Sequence, residues 1–419
     1  MVISGKVVDP IDGVYDADIG ISKGIIQKIS GNELKGEEEK RLNGSQLIFP
    51  GFIDPHVHMR CPGWDYKEDF VTGSRAAIHG GVTTVGDMPN LPQPIVTKER
   101  LLRKMQLASG ATVDVLHLGG VNRDNLGDVK KIAPFVPAFK IYTAESTGKL
   151  TLDNWLRIDG VVKIISEVRK PITFHCEDQG IIDKSKAALE GKNYPWKHCD
   201  ERPIESEVRA VERVLAIVKR YKTTANIAHV SAKESLMLIN ENKSGRLTCE
   251  VTPHHLYFTK QDMKRLGNML KINCPLREEK DRKALIGGLK DGLIDMLATD
   301  HAPHTLDEKM SNNPPAGMPG LDTYGNFVLY LMINHGIKPQ IIARFTSYNA
   351  ARYFGLADRG RIKKGFIANL TVLDKKGRTR IRKEDLKTKC RWSPFEGVTF
   401  PGSVAATIVR GKVYRNGMW

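Results

Sequence analysis

Two histidines separated by one residue give the chain its first candidate metal site. His56 and His58 lie in the segment Asp54-Pro-His-Val-His58, which reads as a strand. Side chains two apart on a strand point to the same side, so both imidazoles can reach one cation. In a chain with 12 histidines, however, an H-x-H pair is a weak signal by itself. In isolation, two ordinary surface or core histidines are the better interpretation.

Further residues of metal-binding type end later apolar runs of the sequence. His175, His229 and Asp300 each stand at the end of such a strand-like run. Together with the H-x-H pair they offer four imidazoles and one carboxylate. That donor set favours zinc, with manganese or cobalt as alternatives.

Lys140 lies inside the apolar segment 135–142. A lysine in such a place is costly as a free cation, and desolvation lowers its pKa and makes the amine nucleophilic. Reaction with carbon dioxide would give an anionic carbamate whose two oxygens could bridge two metals. A lysine paired with a carboxylate is an equally good interpretation of the sequence alone.

The middle of the chain alternates apolar strand-like runs with helix-like segments. The eight runs are 52–58, 82–88, 113–121, 135–143, 172–177, 226–231, 247–255 and 294–301. Near-continuous apolar strands joined by helices predict a parallel sheet buried on both faces, and eight such units predict a closed (β/α)₈ barrel. The C-terminal ends of barrel strands share one mouth, so residues spread along the chain can meet there.

Both ends of the chain read as short strands separated by turns. Residues 1–49 and residues 366–419 are each too short to bury a sheet face alone, so we expect them to form one small β-sandwich together. Residues 50–365 would be the barrel. The predicted class is therefore α/β, a TIM-like barrel with a sandwich built from both chain ends.

Composition narrows the class of protein. The formal net charge is +16, but lysines and arginines are spread along the chain and no RNA-binding signature stands out, so we do not expect nucleic-acid binding. No apolar stretch is long enough for a membrane span, and the N-terminus lacks a signal-peptide pattern. The six cysteines are scattered without a C-x-x-C pair. We expect a cytosolic protein with free thiols.

Six segments closely resemble the dihydroorotase family of the amidohydrolase superfamily. They are 51–63, 67–74, 80–90, 250–256, 299–304 and 315–321. The similarity extends over nearly the whole chain. It implies the barrel-plus-sandwich fold and a zinc-dependent hydrolase of cyclic amides.

The resemblance also implies a two-zinc centre. Its ligands would be His56, His58 and Asp300 for one zinc, His175 and His229 for the other, and carboxylated Lys140 as the bridge. Some members of the family have an aspartate in place of the lysine, or hold only one zinc tightly. The context Phe139-Lys-Ile-Tyr142 favours the lysine form.

The implied reaction interconverts dihydroorotate and N-carbamoyl-L-aspartate, as pyrimidine biosynthesis requires. Hydroxide held between the zincs would attack the ring carbonyl, and Asp300 would act as general base and then general acid. The implied substrate residues are Arg60, Asn90 and His304 for the exocyclic carboxylate, Asn273 for the ring, and backbone groups at Pro319 and Gly320 for the ring amides.

Several interpretations stay open at this stage. Asn90 can equally be a turn residue after Pro89, and residues 144–149 can be a lid or an ordinary loop. His254 and His255 are expected to be supporting or structural residues. Competing functions are allantoinase, hydantoinase or dihydropyrimidinase, and a non-catalytic scaffold for aspartate transcarbamoylase. Arg60, Asn90 and His304 favour a substrate with a free carboxylate, which argues against allantoinase and hydantoinase, and the complete ligand set argues against the scaffold. The oligomeric state is not predicted.

Overall fold

The computed structural model describes residues 1–31, 33–122, 124–148 and 150–415. Its secondary structure is mixed α/β, as the sequence predicts. In this part of the chain no helix is both long and apolar enough to cross a bilayer.

The strands fall into two groups, one from the chain ends and one from the middle. The end strands are β1 (Val2–Asp9), β2 (Gly13–Ser22), β3 (Ile25–Ser30), β4 (Glu39–Arg41), β5 (Gln46–Pro50), β15 (Leu370–Arg380), β16 (Thr399–Val409) and β17 (Lys412–Arg415). The middle strands are β6 (Phe52–Val57), β7 (Val82–Asp87), β8 (Asp114–His117), β9 (Gly119–Gly120), β10 (Phe139–Tyr142), β11 (Ile172–His175), β12 (Ala225–Ile227), β13 (Leu247–Val251) and β14 (Met296–Leu297).

Helices separate the middle strands and continue beyond them. They are α1 (Phe70–His79), α2 (Lys98–Leu107), α3 (Val129–Ile132), α4 (Trp155–Glu167), α5 (Gln179–Ala188), α6 (Lys197–Glu201), α7 (Ile204–Tyr221), α8 (Lys233–Glu241), α9 (Pro253–Tyr257), α10 (Met263–Leu266), α11 (Glu279–Lys290), α12 (Leu306–Lys309), α13 (Tyr324–Asn334), α14 (Pro339–Ala343) and α15 (Asn349–Tyr353). A π-helical turn, Arg344–Tyr348, joins α14 to α15.

The middle strands form a closed parallel barrel, which confirms the predicted fold class. Strands β6, β7 and β8 pair in one parallel run, and β9 to β14 pair in a second. Strands β8 and β9 follow one another at a single barrel position, where Leu118 N–H donates to the Asp87 carbonyl. The ring closes where Val57 pairs in parallel with His301. Each of the eight predicted runs thus contributes a barrel strand.

The end strands form a separate sheet, as expected from their short lengths. Among the described residues its order is β17-β16-β15-β5-β1-β2-β3, with β4 paired to β1. The contact between the two chain ends is the antiparallel pair of β5 and β15. The sheet encloses its own apolar cluster, which includes Ile3, Ile19 and Ile408.

A close backbone contact joins helix α1 to the segment that leads into α13. Gly325 N–H donates to the Gly80 carbonyl at 2.9 Å. A Cβ built on Gly80 would lie 1.9 Å from the Leu321 carbonyl oxygen, so no larger residue fits without moving backbone. Leu321 and the first turn of α13 therefore pack directly against the backbone at the end of α1.

Replacing Gly80 by alanine is expected to destabilise the protein. The overlap with backbone should lower the free energy of unfolding by about 1–3 kcal/mol. Gly160 is the matched control, because it lies inside helix α4 and a Cβ there meets nothing within 4 Å. Gly160→Ala should raise stability by up to about 1 kcal/mol. Equal denaturant midpoints for the two variants would contradict this reading of the contact.

Candidate metal and substrate site

The seam between the first and last barrel strands positions the H-x-H segment beside Asp300. Asp54 lies in β6, and its carboxylate accepts hydrogen bonds from Thr299 N–H at 3.1 Å and Thr299 Oγ1 at 2.5 Å. His58 N–H donates to the His301 carbonyl at 2.7 Å. Burial raises the pKa of Asp54 to about 7. The seam therefore joins the end of β6 to the segment that follows β14, and these two segments carry the candidate ligands.

Three candidate ligands meet at this seam. The Nε2 atoms of His56 and His58 lie 3.5 Å and 3.0 Å from Asp300 Oδ1. All three donor atoms lie within 4.8 Å of one another, and both imidazoles are buried. Two imidazole nitrogens and one carboxylate oxygen at this spacing fit a divalent transition metal.

The second histidine pair lies next to this group. His175 Nδ1 and His229 Nε2 are 3.0 Å apart, and the ring centroids of His229 and His56 are 5.4 Å apart. Lys140 belongs to β10, and its Nζ is buried with no hydrogen-bond partner in the described part of the chain. The structure therefore brings together all six residues that the sequence suggested as metal ligands.

Polar side chains orient three of the four imidazoles. His56 donates from Nδ1 to Glu250 Oε1 at 2.5 Å, and His58 donates from Nδ1 to Asn90 Oδ1 at 2.7 Å. His175 uses its other ring nitrogen, and its Nε2 donates to Glu177 at 2.8 Å. Each bond fixes the tautomer and leaves the other ring nitrogen facing the cluster, as in metal centres whose ligands have outer partners.

Burial favours the neutral imidazoles that metal binding requires. It lowers the pKa of His58 to about 4 and holds the pKa of His229 well below the ordinary value. Burial alone would raise the pKa of Asp300. The neighbouring His56 and His58 imidazoles outweigh that effect and hold it well below its usual range. Burial thus favours neutral imidazoles at His58 and His229, and Asp300 is favoured as a carboxylate.

Lys140 has the properties of a lysine that can react as a free amine. Burial lowers the pKa of its ammonium to about 8, although Glu250 and Asp300 oppose the shift. A buried amine without a partner is unfavourable as it stands. Both observations fit a lysine whose nitrogen carries a further group.

A second cluster of donor types is less suitable for a metal. His175 Nε2, Glu177 and Cys274 also lie within 4.8 Å of one another. Glu177, however, is held by the Arg202 guanidinium at 2.5 Å, and Arg202 holds its pKa below the usual range although burial acts against this. Burial raises the pKa of the Cys274 thiol well above its ordinary value. These two groups form a structural support for His175.

A cationic wall lies opposite the metal-ligand group. Arg60 is buried, its Nε donates to the Pro303 carbonyl at 3.0 Å, and its Nη2 lies 3.0 Å from His304 Nε2. Lys67 Nζ lies 3.0 Å from the other ring nitrogen of His304. Burial, reinforced by these cations, depresses the pKa of His304, and burial lowers that of Arg60 to about 10. Arg60 therefore stays cationic beside a neutral imidazole.

A small cavity separates the cationic wall from the metal-ligand group. It is lined by His56, His58, Arg60, Asn90, Tyr142, Ser146, Thr147, His175, His229, Asn273, Asp300, Ala302, Ala316 and Gly317. Of the proposed substrate residues, Arg60, Asn90 and Asn273 line it directly, and His304 stands behind Arg60. Pro319 and Gly320 are not among its lining residues, and Gly320 N–H donates to His301 Nδ1 at 3.1 Å.

The segment predicted as a lid or a loop covers one side of the cavity. Asn90 Nδ2 donates to the Thr147 carbonyl at 2.8 Å, and Thr147 Oγ1 donates to the Ala316 carbonyl at 3.4 Å. Asn90 therefore links this segment to His58. Residue 149 of the segment lies outside the described residues.

Three site residues have strained backbones. Arg60, His229 and Asp300 have φ values of 59°, 37° and 46°, in the left-handed region that non-glycine residues seldom adopt. Each such residue costs about 1–3 kcal/mol and persists where the surrounding structure enforces it. The strain coincides with the metal and cationic groups, as expected of a functional site.

Sequence reasoning missed the residues that support the site. Glu177 and Glu250 lie inside the quoted motifs but gave no signal of which imidazole they contact. His198, for which the sequence gave no role, has its Nε2 2.8 Å from Asn273 Oδ1. Tyr142 lines the cavity, whereas in the sequence it reads as an ordinary apolar-strand residue.

Comparisons with known proteins identify the family of the chain. Residues 47–414 match the model of the amidohydrolase family. A curated protein of Methanothermobacter thermautotrophicus named dihydroorotase is 36% identical over 97% of this chain and 93% of its own length. A dihydroorotase of Pyrococcus furiosus is 36% identical over 94% of this chain and 88% of its own.

Solved structures resemble the chain over its full length. The L-hydantoinase (dihydropyrimidinase) of Arthrobacter aurescens has a TM-score of 0.95 at 25% identity and covers 100% of this chain and 96% of its own. The structure of a D-hydantoinase has a TM-score of 0.90 at 24% identity, and the match covers 98% of this chain and 94% of the D-hydantoinase. At this identity the similarity shows the fold alone.

The barrel with its convergent imidazoles and the match over most of the chain define a class of hydrolytic enzymes. The chain belongs to the amidohydrolase family, and the resemblance to dihydroorotases expected from its motifs is confirmed.

Glu250→Gln is expected to weaken metal binding by about 10- to 100-fold, because the carboxylate that fixes His56 loses its charge. Competition with a chelator measures this affinity without reference to turnover. Glu205, an exposed residue at the start of α7, supplies the control, and Glu205→Gln should bind metal as the parent does. Equal affinities for the parent and Glu250→Gln would contradict the orienting role.

Proposed function

We propose that the chain is a zinc-dependent dihydroorotase, which interconverts dihydroorotate plus water with N-carbamoyl-L-aspartate in pyrimidine biosynthesis. One observation carries the proposal. The buried cation Arg60 lines the same cavity as the imidazoles and Asp300. A substrate that fills this cavity would combine a hydrolysable amide with a free carboxylate, and the relatives named dihydroorotase support that choice.

Six residues would hold the metal. His56, His58 and Asp300 would bind one zinc and His175 and His229 a second, with Lys140 between them. When bound, zinc would polarise a carbonyl oxygen and lower the pKa of water. Lys140 would contribute as a carbamate. Its neutral nitrogen forms a bond to the carbon of carbon dioxide and loses a proton, which leaves an anion that relieves the cost of the buried amine.

Asp300 would move the proton in the reaction. Its carboxylate lies at the junction of His56 and His58 and is ionised near neutral pH. It would accept a proton as water attacks the ring carbonyl and deliver that proton to the departing amide nitrogen. The ring carbon–nitrogen bond breaks in the same sequence, and in reverse the same groups would close the ring.

The cationic wall would orient the substrate. The Arg60 guanidinium is suited to a carboxylate, and His304 is a neutral partner behind it. Asn273, held by His198, would contact the ring. Asn90 would act mainly through His58 and Thr147, because both ends of its amide are already hydrogen-bonded. Backbone groups near Pro319 and Gly320 would contact the ring amides of the substrate.

A hydantoinase or dihydropyrimidinase is the second candidate, because the structure of such an enzyme has a TM-score of 0.95 with this chain. Its uncharged ring would leave the guanidinium of Arg60 without a counter-charge in a buried cavity, which is unfavourable. The buried cation therefore favours the acidic substrate.

We also propose a cellular location and a partner enzyme. All six cysteines are free thiols in the structure, which fits a reducing cytosol. An aspartate transcarbamoylase, whose product would be this enzyme's substrate, is a candidate partner.

Turnover of a substrate panel tests the proposed function. The purified protein loaded with zinc should open dihydroorotate and cyclise N-carbamoyl-L-aspartate. Hydantoin, allantoin and dihydrouracil should react at least about 100-fold more slowly, because they leave Arg60 unpaired. Faster ring opening of hydantoin or allantoin than of dihydroorotate would defeat the choice.

Asp300→Asn is expected to lower kcat by about 100- to 10,000-fold, because the amide cannot accept the proton. The amide oxygen can still contact a metal, so bound zinc measured by elemental analysis should fall much less than turnover. Retention of more than a tenth of the parent kcat would rule out the proton-transfer role.

A further inference from the structure

Among the residues that line the cavity and are not candidate metal ligands, two carry a buried polar atom that has no hydrogen-bond partner in the described part of the chain. One is Nη1 of Arg60 and the other is the hydroxyl of Tyr142. The other guanidinium nitrogens of Arg60 are engaged by Pro303 and His304. Both free atoms are hydrogen-bond donors, and donors without partners in one cavity indicate a missing acceptor.

The fold holds the Tyr142 ring in place. Tyr142 ends strand β10, two residues after Lys140, and packs in a small apolar cluster with Val96 and Leu150. Its ring centroid lies 5.9 Å from that of His175, and Lys140 Nζ lies 5.0 Å from the ring. A rigid strand and packed neighbours therefore aim the hydroxyl, as required of a preorganised binding group.

An unpaired buried hydroxyl gives no advantage to the folded protein. Phenylalanine would fill the same space and bury no unsatisfied polar atom. Tyr353, by contrast, is a buried tyrosine whose hydroxyl is 2.9 Å from Thr173 Oγ1. The Tyr142 hydroxyl thus has a role that the unliganded fold does not use.

Tyr142 remains a neutral donor near neutral pH. A tyrosine phenol has an ordinary pKa of about 10, so it is protonated near neutral pH. A phenol in this state donates one hydrogen bond and neither removes a proton nor carries charge. Arg60 and Tyr142 line the same cavity, so one anionic group bound there can contact both residues.

We propose that Tyr142 is a substrate-binding residue, whose hydroxyl donates to the same substrate carboxylate that Arg60 Nη1 binds. The inference rests on the proposed function and adds a specificity residue to it. Its ligand class is a cyclic amide with a carboxylate on the ring. Two fixed donors on one carboxylate select that group over a neutral substituent.

Tyr142→Phe tests this assignment in the zinc-loaded enzyme. The KM for dihydroorotate should rise by about 10- to 100-fold, the loss expected for one hydrogen bond to a charged group. The inhibition constant of orotate, a planar analogue that carries the same carboxylate, should rise by the same factor. The kcat should stay within about threefold of the parent value.

If Tyr142 had a structural role, its replacement would lower the stability of the protein, so the melting temperature is a second measurement. The melting temperature of Tyr142→Phe should equal or exceed that of the parent, because no hydrogen bond of the unliganded protein is lost. Tyr353→Phe is the matched control, which should lower the melting temperature and leave KM and the orotate inhibition constant unchanged.

The outcomes separate the two proposals. A parent enzyme that does not turn over dihydroorotate defeats the proposed function itself. With an active parent, an unchanged KM and orotate inhibition constant in Tyr142→Phe would overturn the inference. A fall in kcat of more than tenfold would also overturn it, because the hydroxyl would then act at the reacting carbonyl.

Discussion

The site depends on closure of the barrel between its first and last strands. The parallel pairing of Val57 with His301 and the contact of Asp54 with Thr299 join segments about 240 residues apart in the chain. Without this seam, no backbone contact would hold the H-x-H pair beside Asp300. The hydrogen bonds of the seam fix the position of the ligands. Asp54 is buried there with a raised pKa, and Asp300 has a strained backbone. Both are tolerated because the two segments hold each other in place.

Around this seam, the polar side chains form two layers. The inner layer consists of the four imidazoles and the Asp300 carboxylate, a set of donor groups that suits a metal cation. The outer layer consists of Glu250, Glu177 and Asn90, which accept hydrogen bonds and thereby choose which ring nitrogen faces inward. Arg60, of opposite charge to Asp300, lines the same cavity, and Lys67 contacts His304 next to Arg60. The cavity thus combines a carboxylate and imidazoles with a buried guanidinium.

Much of this arrangement is predictable from the sequence. Barrel strands are buried on both faces, so they appear as near-continuous apolar runs, and strand periodicity places His56 and His58 on one side. The supporting contacts are not predictable in the same way. Glu250 and Glu177 give no sign of the imidazoles they contact, because those contacts depend on the packing of different strands. Tyr142 and His198 look like ordinary residues of apolar or helical segments, and only the tertiary structure brings them to the cavity.

The central claim is that these imidazoles, Lys140 and Asp300 surround a pair of cations. The most direct measurement is a crystal structure of the zinc-loaded protein with anomalous diffraction on both sides of the zinc absorption edge. The account predicts two anomalous peaks, one touching His56, His58 and Asp300 and one touching His175 and His229, with extra density on the Lys140 nitrogen between them. A single peak, or peaks remote from these residues, would contradict it.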